Sequence, residues 1–308
     1  MRTAAEVVKT ALERVWIHAA TPGLSRPLAV PDALFVVTIG GATLGGSGKT
    51  PLAIACARAL AASHTNVALI GHAYRARPRS ARVVSVDDDV AVVGDEALVA
   101  ARALRTSGAV VIVAPSRQAA ITFAVSRGIV IAVVDGPLQL RPRRSDVAWL
   151  AVDAASPWGD GACPPRGDLR APEAQLRALC DRVVPVAGEL VLPEGDALAS
   201  RRVGLVTSLA RPERITRALE RRGIHPVAFV HAPDHRSASL RVLRTTARTA
   251  RLDAWLATEK CAAHLERAAA DSGAGGLGTP LIVVGYDVAV EPAALAALEA
   301  ALRARRHA

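Results

Sequence analysis

A lysine set among glycines carries the clearest chemistry in this sequence. In "TIGGATLGGSGKTP", residues 38–51, Gly45, Gly46, Ser47 and Gly48 lead directly into Lys49 and Thr50. Glycines at this spacing let successive backbone N–H groups converge on phosphate oxygens. A helix opening at that point adds its partly positive N-terminal end. Lys49 is then placed to contact the β- and γ-phosphates of a nucleoside triphosphate, and Thr50 to offer its hydroxyl oxygen to Mg2+. Thr43 stands where the strict pattern has its first glycine. The alternative is an ordinary glycine-rich strand–helix turn with one solvated lysine; strand, glycines, Lys-Thr and helix in succession make it the weaker reading.

A second candidate is Asp135, which ends the apolar run "GIVIAVVDG". A carboxylate there suits a magnesium ion approached from a neighbouring strand. Taken alone, a strand-terminal aspartate is as often a turn or cap residue. Asp95, in "VGDEALVAAR", reads first as a helix N-cap, and His235, in "HAPDHRS", as a loop residue.

These residues need elements to hold them. "ALFVVTIG" precedes the glycines as a strand and "PLAIACARALAAS" follows as a helix. "VALIGHAY", "ARVVSV", "AVVIVAP", "IVIAVVDG", "VAWLAVDA" and "CDRVVPVAG" read as further strands, with helices at "GDEALVAARALRTSG" and "SRQAAITFAVSRG". Apolar strands alternating with helices predict an α/β fold with a mostly parallel sheet covered on both faces, of the phosphate-loop NTPase type. Ligands in such sheets gather at the carboxyl ends of the strands. The polar segment 192–202 reads as a linker between a phosphate-loop domain over 31–191 and a smaller C-terminal α/β domain over 203–308. Residues 1–30 hold an amphipathic helix, with Val8, Leu12 and Val15 at helical spacing, that faces either its own domain or a membrane surface.

Composition narrows the partners. The chain has 308 residues, 51% hydrophobic and 21% charged, the balance of a folded protein. Its formal charge of +10 is carried almost wholly by arginine, since Lys9, Lys49 and Lys260 are the only lysines. Such an excess favours nucleotides, phosphorylated substrates or an anionic membrane surface. Nucleic acid is not expected, because aromatic residues are only 3% and no nucleic-acid-binding motif is present. Cys56, Cys163, Cys180 and Cys261 are scattered without CxxC spacing, which argues against a zinc site or disulfide framework and fits a reducing cytoplasm. No signal peptide or spanning segment is expected.

The sequence resembles the tetraacyldisaccharide 4'-kinase family (the lipid A 4'-kinases, LpxK). "GGATLGGSGKTP" is similar to that family's phosphate loop, Thr43 and Pro51 included. The resemblance continues, in order, through "GDEALVAAR", "VAPSRQAA", "GDGACPPRGDLRAP", "RPERITRALERRGI", "PDHRS" and "ATEKCAAHL". It implies ATP- and Mg2+-dependent phosphoryl transfer to the 4'-hydroxyl of a lipid A disaccharide precursor, at the cytoplasmic face of the inner membrane. On matching positions it implies Asp95 as the acid/base group, supported by His235, with Lys49 on the phosphates and Thr50 and Asp135 on the metal. Tyr74, Arg117, Gln139 and Arg170 fall in segments implied to face substrate. No protein partner is inferable. The sequence departs from the family at Val134, where a carboxylate is usual, at Pro137–Leu140, at Gly71–Arg75 apart from Tyr74, and at Cys261, where aspartate is usual. Those departures motivate two alternatives: a relative that binds nucleotide or lipid with weakened transfer, and a phosphate-loop kinase for a soluble substrate. A GTPase is disfavoured by the lack of an Asn-Lys-x-Asp run.

Overall fold

A computed structural model describes residues 4–71, 73, 76–193, 195–209, 212–233, 236–272 and 277–306. Tyr74 and His235 lie outside the described residues, so the roles expected of them find no geometry here.

The strands are β1 (Ser25–Pro27), β2 (Phe35–Gly41), β3 (Val67–Ile70), β4 (Arg82–Val83), β5 (Val110–Val113), β6 (Ile131–Asp135), β7 (Gln139–Arg141), β8 (Val147–Asp153), β9 (Arg182–Val186), β10 (Gly188–Val191), β11 (Val203–Thr207), β12 (Ala228–His231), β13 (Ala254–Thr258) and β14 (Leu281–Val288). The helices are α1 (Ala4–Ala20), α2 (Lys49–Ser63), α3 (Val90–Val93), α4 (Asp95–Leu104), α5 (Arg117–Ser126), α6 (Glu173–Leu179), α7 (Glu213–Glu220), α8 (Leu240–Thr249), α9 (Glu259–Ser272) and α10 (Pro292–Arg306).

The apolar runs become a seven-stranded sheet in the order β4-β5-β3-β6-β2-β8-β9, parallel except for β4 at its edge. Every residue of β2, β3, β6 and β8 is buried, as continuous apolar strands require when helices cover both faces. One face packs against α2 and α4, through residues such as Leu52, Leu60, Leu98 and Leu104. The other packs against α5, through Ile121 and Ala124. The phosphate-loop strand β2 sits between β6 and β8, so the carboxyl ends of all three open onto one place. The strand expected at "ARVVSV" shrinks to the two residues of β4. The aspartates after it turn the chain, with the Asp89 carboxylate accepting from the Ala91 N–H at 2.9 Å to cap α3.

A second sheet, ordered β10-β14-β13-β11-β12, is parallel apart from β10. It starts at Gly188, ahead of the segment expected as a linker. That segment is itself tied down, because Leu198, in a short helical turn, is fully buried against Leu205, Ile215 and Leu219. The chain then returns: Ala294, Leu298 and Leu302 of α10 pack into the first core beside α2. Arginines 303, 305 and 306 close the last turn of α10, where positive charge complements the helix end.

Helix α1 buries little of its apolar face. Val7, Val8, Leu12 and Val15 are each more than half exposed. What holds the helix is polar. Glu13 accepts from the Cys163 N–H at 2.9 Å and pairs with Arg166 at 3.2 Å, while the Thr21 hydroxyl donates to Gln175 at 2.9 Å. Among the described residues no helix is long and apolar enough to cross a membrane.

If α10 closes the first core, Leu298→Ala, which empties a site only 1% exposed, costs about 2–4 kcal/mol of stability. Urea unfolding followed by circular dichroism measures this; a loss under about 1 kcal/mol would show that the helix is only laid on the surface.

Candidate active site

Strand β2 delivers the chain to the phosphate loop and α2 takes it away. Gly48 is the turning point, with φ +79° at the N-cap of α2. A Cβ there would lie 2.6 Å from Val186 Cγ1 and in a backbone region that L-residues avoid, so glycine is required twice over. The loop is braced from beside. Thr43 bridges to Leu169, the Leu44 N–H donates to the Asp168 carbonyl at 2.9 Å, and Arg170 Nε donates to the Thr43 carbonyl at 2.9 Å. The Thr43 hydroxyl donates to the Gly45 carbonyl at 2.7 Å. It therefore stiffens the turn that a glycine would merely permit.

Lys49 Nζ stands 2.7 Å from Asp135 Oδ1, and the Thr50 hydroxyl donates to Asp135 Oδ2 at 2.8 Å. Sheet register makes this contact: Asp135 pairs with Ile39, so β6 ends beside the last residues of β2 before the loop. Asp135 is buried, and two donors satisfy its charge. The Thr50 hydroxyl and the Asp135 carboxylate are hard oxygen donors at one point. One carboxylate with a hydroxyl is a donor set that fits Mg2+, whose remaining positions go to water and phosphate oxygens. Among the described residues no group of three His, Cys, Asp or Glu gathers as a metal cage.

Arg117 Nη2 donates to the Asp135 carbonyl at 3.3 Å. Burial holds its guanidinium pKa below the usual value and nearby Arg26 adds to that, against the opposing pull of Asp135. Its Nε is buried without a partner among the described atoms. Arg170 is likewise lowered, by burial first, with Asp135 and Glu96 opposing. It braces the loop and places a positive charge near Asp135 and Glu96. Gln139 departs from its expected substrate-facing place. Its Oε1 accepts from the Ser145 N–H and hydroxyl, both at 2.7 Å, and from the Leu140 N–H at 2.9 Å, while Nε2 donates to the Leu179 carbonyl at 3.3 Å. With its side chain buried and its polar atoms occupied in this way, Gln139 shapes the loop after β6.

Asp95 is buried at the start of α4, and the Glu96 N–H donates to its Oδ1 at 2.8 Å. Its Oδ2 lies 3.3 Å from His264 Nε2 on α9. Both line a cleft of about 310 Å³ with Gly94, Arg236, Ser237 and Arg267, so residues of both sheets' flanking segments frame it. Glu96 connects this cleft to the phosphate loop. Burial pushes its carboxyl up, but the ammonium of Lys260, 2.6 Å away, and the charge of Lys49 outweigh that and hold it at about 2.

Sequence reading passed over His264 and Lys260, although both lie in "ATEKCAAHL". Their four-residue spacing, which puts them on one face of a helix, was the available signal. The departures at Val134 and Cys261 prove to be core positions: Val134 packs against Ile70, Ala120 and Ile121, and Cys261 beside Leu243 and Leu265.

A phosphate loop on a parallel sheet, a lysine and hydroxyl on one buried carboxylate, and a second carboxylate in an adjoining cleft define a phosphate-loop phosphotransferase. Comparisons with known proteins agree. The sequence profile of the tetraacyldisaccharide-1-P 4'-kinase family, LpxK, matches residues 10–189. A tetraacyldisaccharide 4'-kinase of Methylobacterium radiotolerans is 34% identical over 76% of this chain and 77% of its own length. One of Anaeromyxobacter sp. is 33% identical over 72% of this chain and 64% of its own. The chain belongs to the LpxK family. The fold is that of LpxK from Aquifex aeolicus, solved as an "apo" form in complex with ATP, with a TM-score of 0.67 at 17% identity over 96% of this chain and 98% of that one.

Gly48→Ala tests the loop. The strained φ and the contact with Val186 together lower ATP affinity by about tenfold or more, read by titration calorimetry. Unchanged affinity would show that the loop re-forms around a side chain.

Proposed function

We propose that this chain transfers the γ-phosphoryl group of ATP to the 4'-hydroxyl of a tetraacyldisaccharide 1-phosphate, a lipid A precursor, at a membrane surface. The observation that carries this reading is the pairing of two carboxylate sites. Asp135 serves the phosphate end beside Lys49 and Thr50, and Asp95 serves an adjoining cleft with His264. Membership of the LpxK family supplies the acceptor.

In this mechanism Lys49 and the loop N–H groups hold the β- and γ-phosphates, and Thr50 and Asp135 hold Mg2+. The magnesium ion, when bound, draws charge from the phosphate oxygens. Asp95 orients the acceptor hydroxyl and takes its proton as the oxygen–phosphorus bond forms and the bond to the β-phosphate oxygen breaks. His264 steadies the carboxylate and can take the proton onward. The resemblance gave that supporting role to His235, which lies outside the described residues; His264, 3.3 Å from Asp95, is within reach of the same role. Glu96, with its proton held off by Lys260 and Lys49, stays anionic and keeps Lys260 in the seam between α4 and α9. The phosphate-loop sheet is the nucleotide domain in this reading, and the second sheet is a smaller domain that brings α9 over the acceptor.

The membrane side is α1. Its exposed Val7, Val8, Leu12 and Val15, with Lys9 and Arg14 alongside, suit peripheral attachment to an anionic surface at the cytoplasmic face of the inner membrane. The net charge of +10 acts in the same direction.

Incubation with labelled ATP, Mg2+ and the tetraacyldisaccharide 1-phosphate in detergent micelles yields phosphorylated lipid. Absence of product above a Lys49→Ala control overturns the proposal. Asp95→Asn lowers kcat about a hundredfold or more while ATP binding persists, and His264→Ala has a smaller effect of the same kind. For the membrane claim, a Val8→Asp, Leu12→Asp double variant loses at least about tenfold in affinity for phosphatidylglycerol vesicles by co-sedimentation. Equal binding would place the membrane contact elsewhere.

A further inference from the structure

Arg214 belongs to the second sheet's side of the molecule but makes its contacts on the first. It sits in the opening turn of α7. Nη1 donates to the carbonyl oxygen of Gly46 at 2.6 Å, and Nη2 donates to the Asp153 carboxylate. Asp153 ends β8, the strand that lies beside the phosphate-loop strand β2. Tyr286 of β14 is close by. Its phenol pKa is raised, by burial first, and it feels both Arg214 and Asp153. One guanidinium thus joins the phosphate loop, the end of the first sheet and the second unit.

Gly46 is a place where such a tie matters. Its φ is +74°, and glycine resists peptide reorientation less than any other residue. The Gly46–Ser47 peptide is planar and trans, so its C=O and the Ser47 N–H point to opposite sides. Holding the carbonyl oxygen on the Arg214 side keeps that N–H on the other. The planar guanidinium fork fixes direction as well as distance. The Asp153 contact alone would tie the two units together. The second donor, on Gly46, brings the loop's own conformation into the contact.

We infer that Arg214 is a positioning residue for the nucleotide: it sets the Gly46–Ser47 peptide for phosphate binding and makes that setting depend on docking of the second unit. The inference rests on the phosphate-loop kinase reading above and adds a residue to it. Arg214 acts through Gly46 and is not assigned contact with the reacting atoms.

Calorimetric ATP titrations and steady-state kinetics of Arg214→Ala and Arg214→Lys test it, with thermal melting alongside. Arg214→Ala raises the Kd and KM for ATP about tenfold, the loss of a charge-assisted hydrogen bond, while KM for the lipid acceptor stays within about twofold. Arg214→Lys, which keeps one donor, falls between. An ATP Kd within about twofold of wild type for Arg214→Ala overturns the inference. So does a rise in KM for both substrates, with lysine giving no rescue. If the alanine variant does not fold, Arg214→Lys decides: unchanged ATP affinity overturns the inference, and a several-fold loss with unchanged lipid KM supports it. Lys49→Ala in the same titration separates the two readings. If it binds ATP as wild type does, the phosphate-loop reading fails; if it loses ATP while Arg214→Ala keeps it, only the role of Arg214 fails.

Discussion

The contact of Lys49 and Thr50 with one buried carboxylate organises the rest of the molecule. A carboxylate as deeply buried as Asp135 must be paired or give up its charge, and here an ammonium at 2.7 Å and a hydroxyl at 2.8 Å satisfy it. That arrangement needs the end of β6 beside the last residues of β2, and their register supplies it by pairing Asp135 with Ile39. It also needs α2 to start at Lys49, which the positive φ of Gly48 allows. The loop beside Leu169 and Arg170 then holds the turn from outside. Arg117 and Arg170 are kept at the same edge although burial works against their charge. A binding place for a polyanion accounts for gathering cations where folding alone would not.

The second sheet matters because it brings side chains the first cannot supply. α9 lies along α4, with residues 260 and 264 meeting the start of that helix and residue 267 meeting the N-cap of α3. Lys260 meets Glu96 at 2.6 Å, His264 meets Asp95 at 3.3 Å, and Arg267 pairs with Asp89. Arg102 adds a contact with Glu266 at 2.9 Å. The outer pairs, Arg267 with Asp89 and Arg102 with Glu266, are solvent-exposed and contribute little stability each, whereas Asp95 is buried and the pair of Glu96 with Lys260 largely so. Their value here is alignment, since together they fix the rotation of α9 that carries His264 to Asp95. Arg214 acts at the other end of the same junction, against the phosphate loop. At the far side of the loop, Glu13 of α1 holds Cys163 and Arg166, in the segment that continues to Leu169 and Arg170. The helix with the exposed apolar face is therefore one short segment away from the loop that holds phosphate.

Much of this was legible in sequence. The phosphate loop, its strand and its helix are local, and glycine, lysine and continuous apolar strands announce them directly. Asp135 was legible because a strand end has a known place in such sheets. What escaped depends on contacts far apart in the chain. Arg214 and Gly46 are separated by 168 residues and His264 and Asp95 by 169, and no local pattern encodes which loop an arginine or histidine will reach. Gln139 shows the converse. The family resemblance implied a substrate-facing segment there, but whether an amide faces substrate or its own loop is settled by burial, and Ser145 and Leu140 take its oxygen.

The valine at 134 shows why a departure from a family pattern has to be read with the pleat in mind. Successive strand residues point to opposite faces of a sheet. Asp135 points to the face of Lys49 and Thr50, so residue 134 points to the other, where Val134 lies among Ile70, Ala120 and Ile121 in the core under α5. A carboxylate placed there would stand behind Asp135 rather than beside it. It would be buried against apolar side chains, with the backbone of the strand between it and the phosphate loop. Valine at this position removes a charge from the apolar layer under α5 and leaves the carboxylate that meets Lys49 in place. The same argument applies to Cys261, which is packed beside Leu243 and Leu265, while the neighbouring Lys260 reaches Glu96. At both places the substituted residue faces a core, and its neighbour in sequence keeps the charged contact.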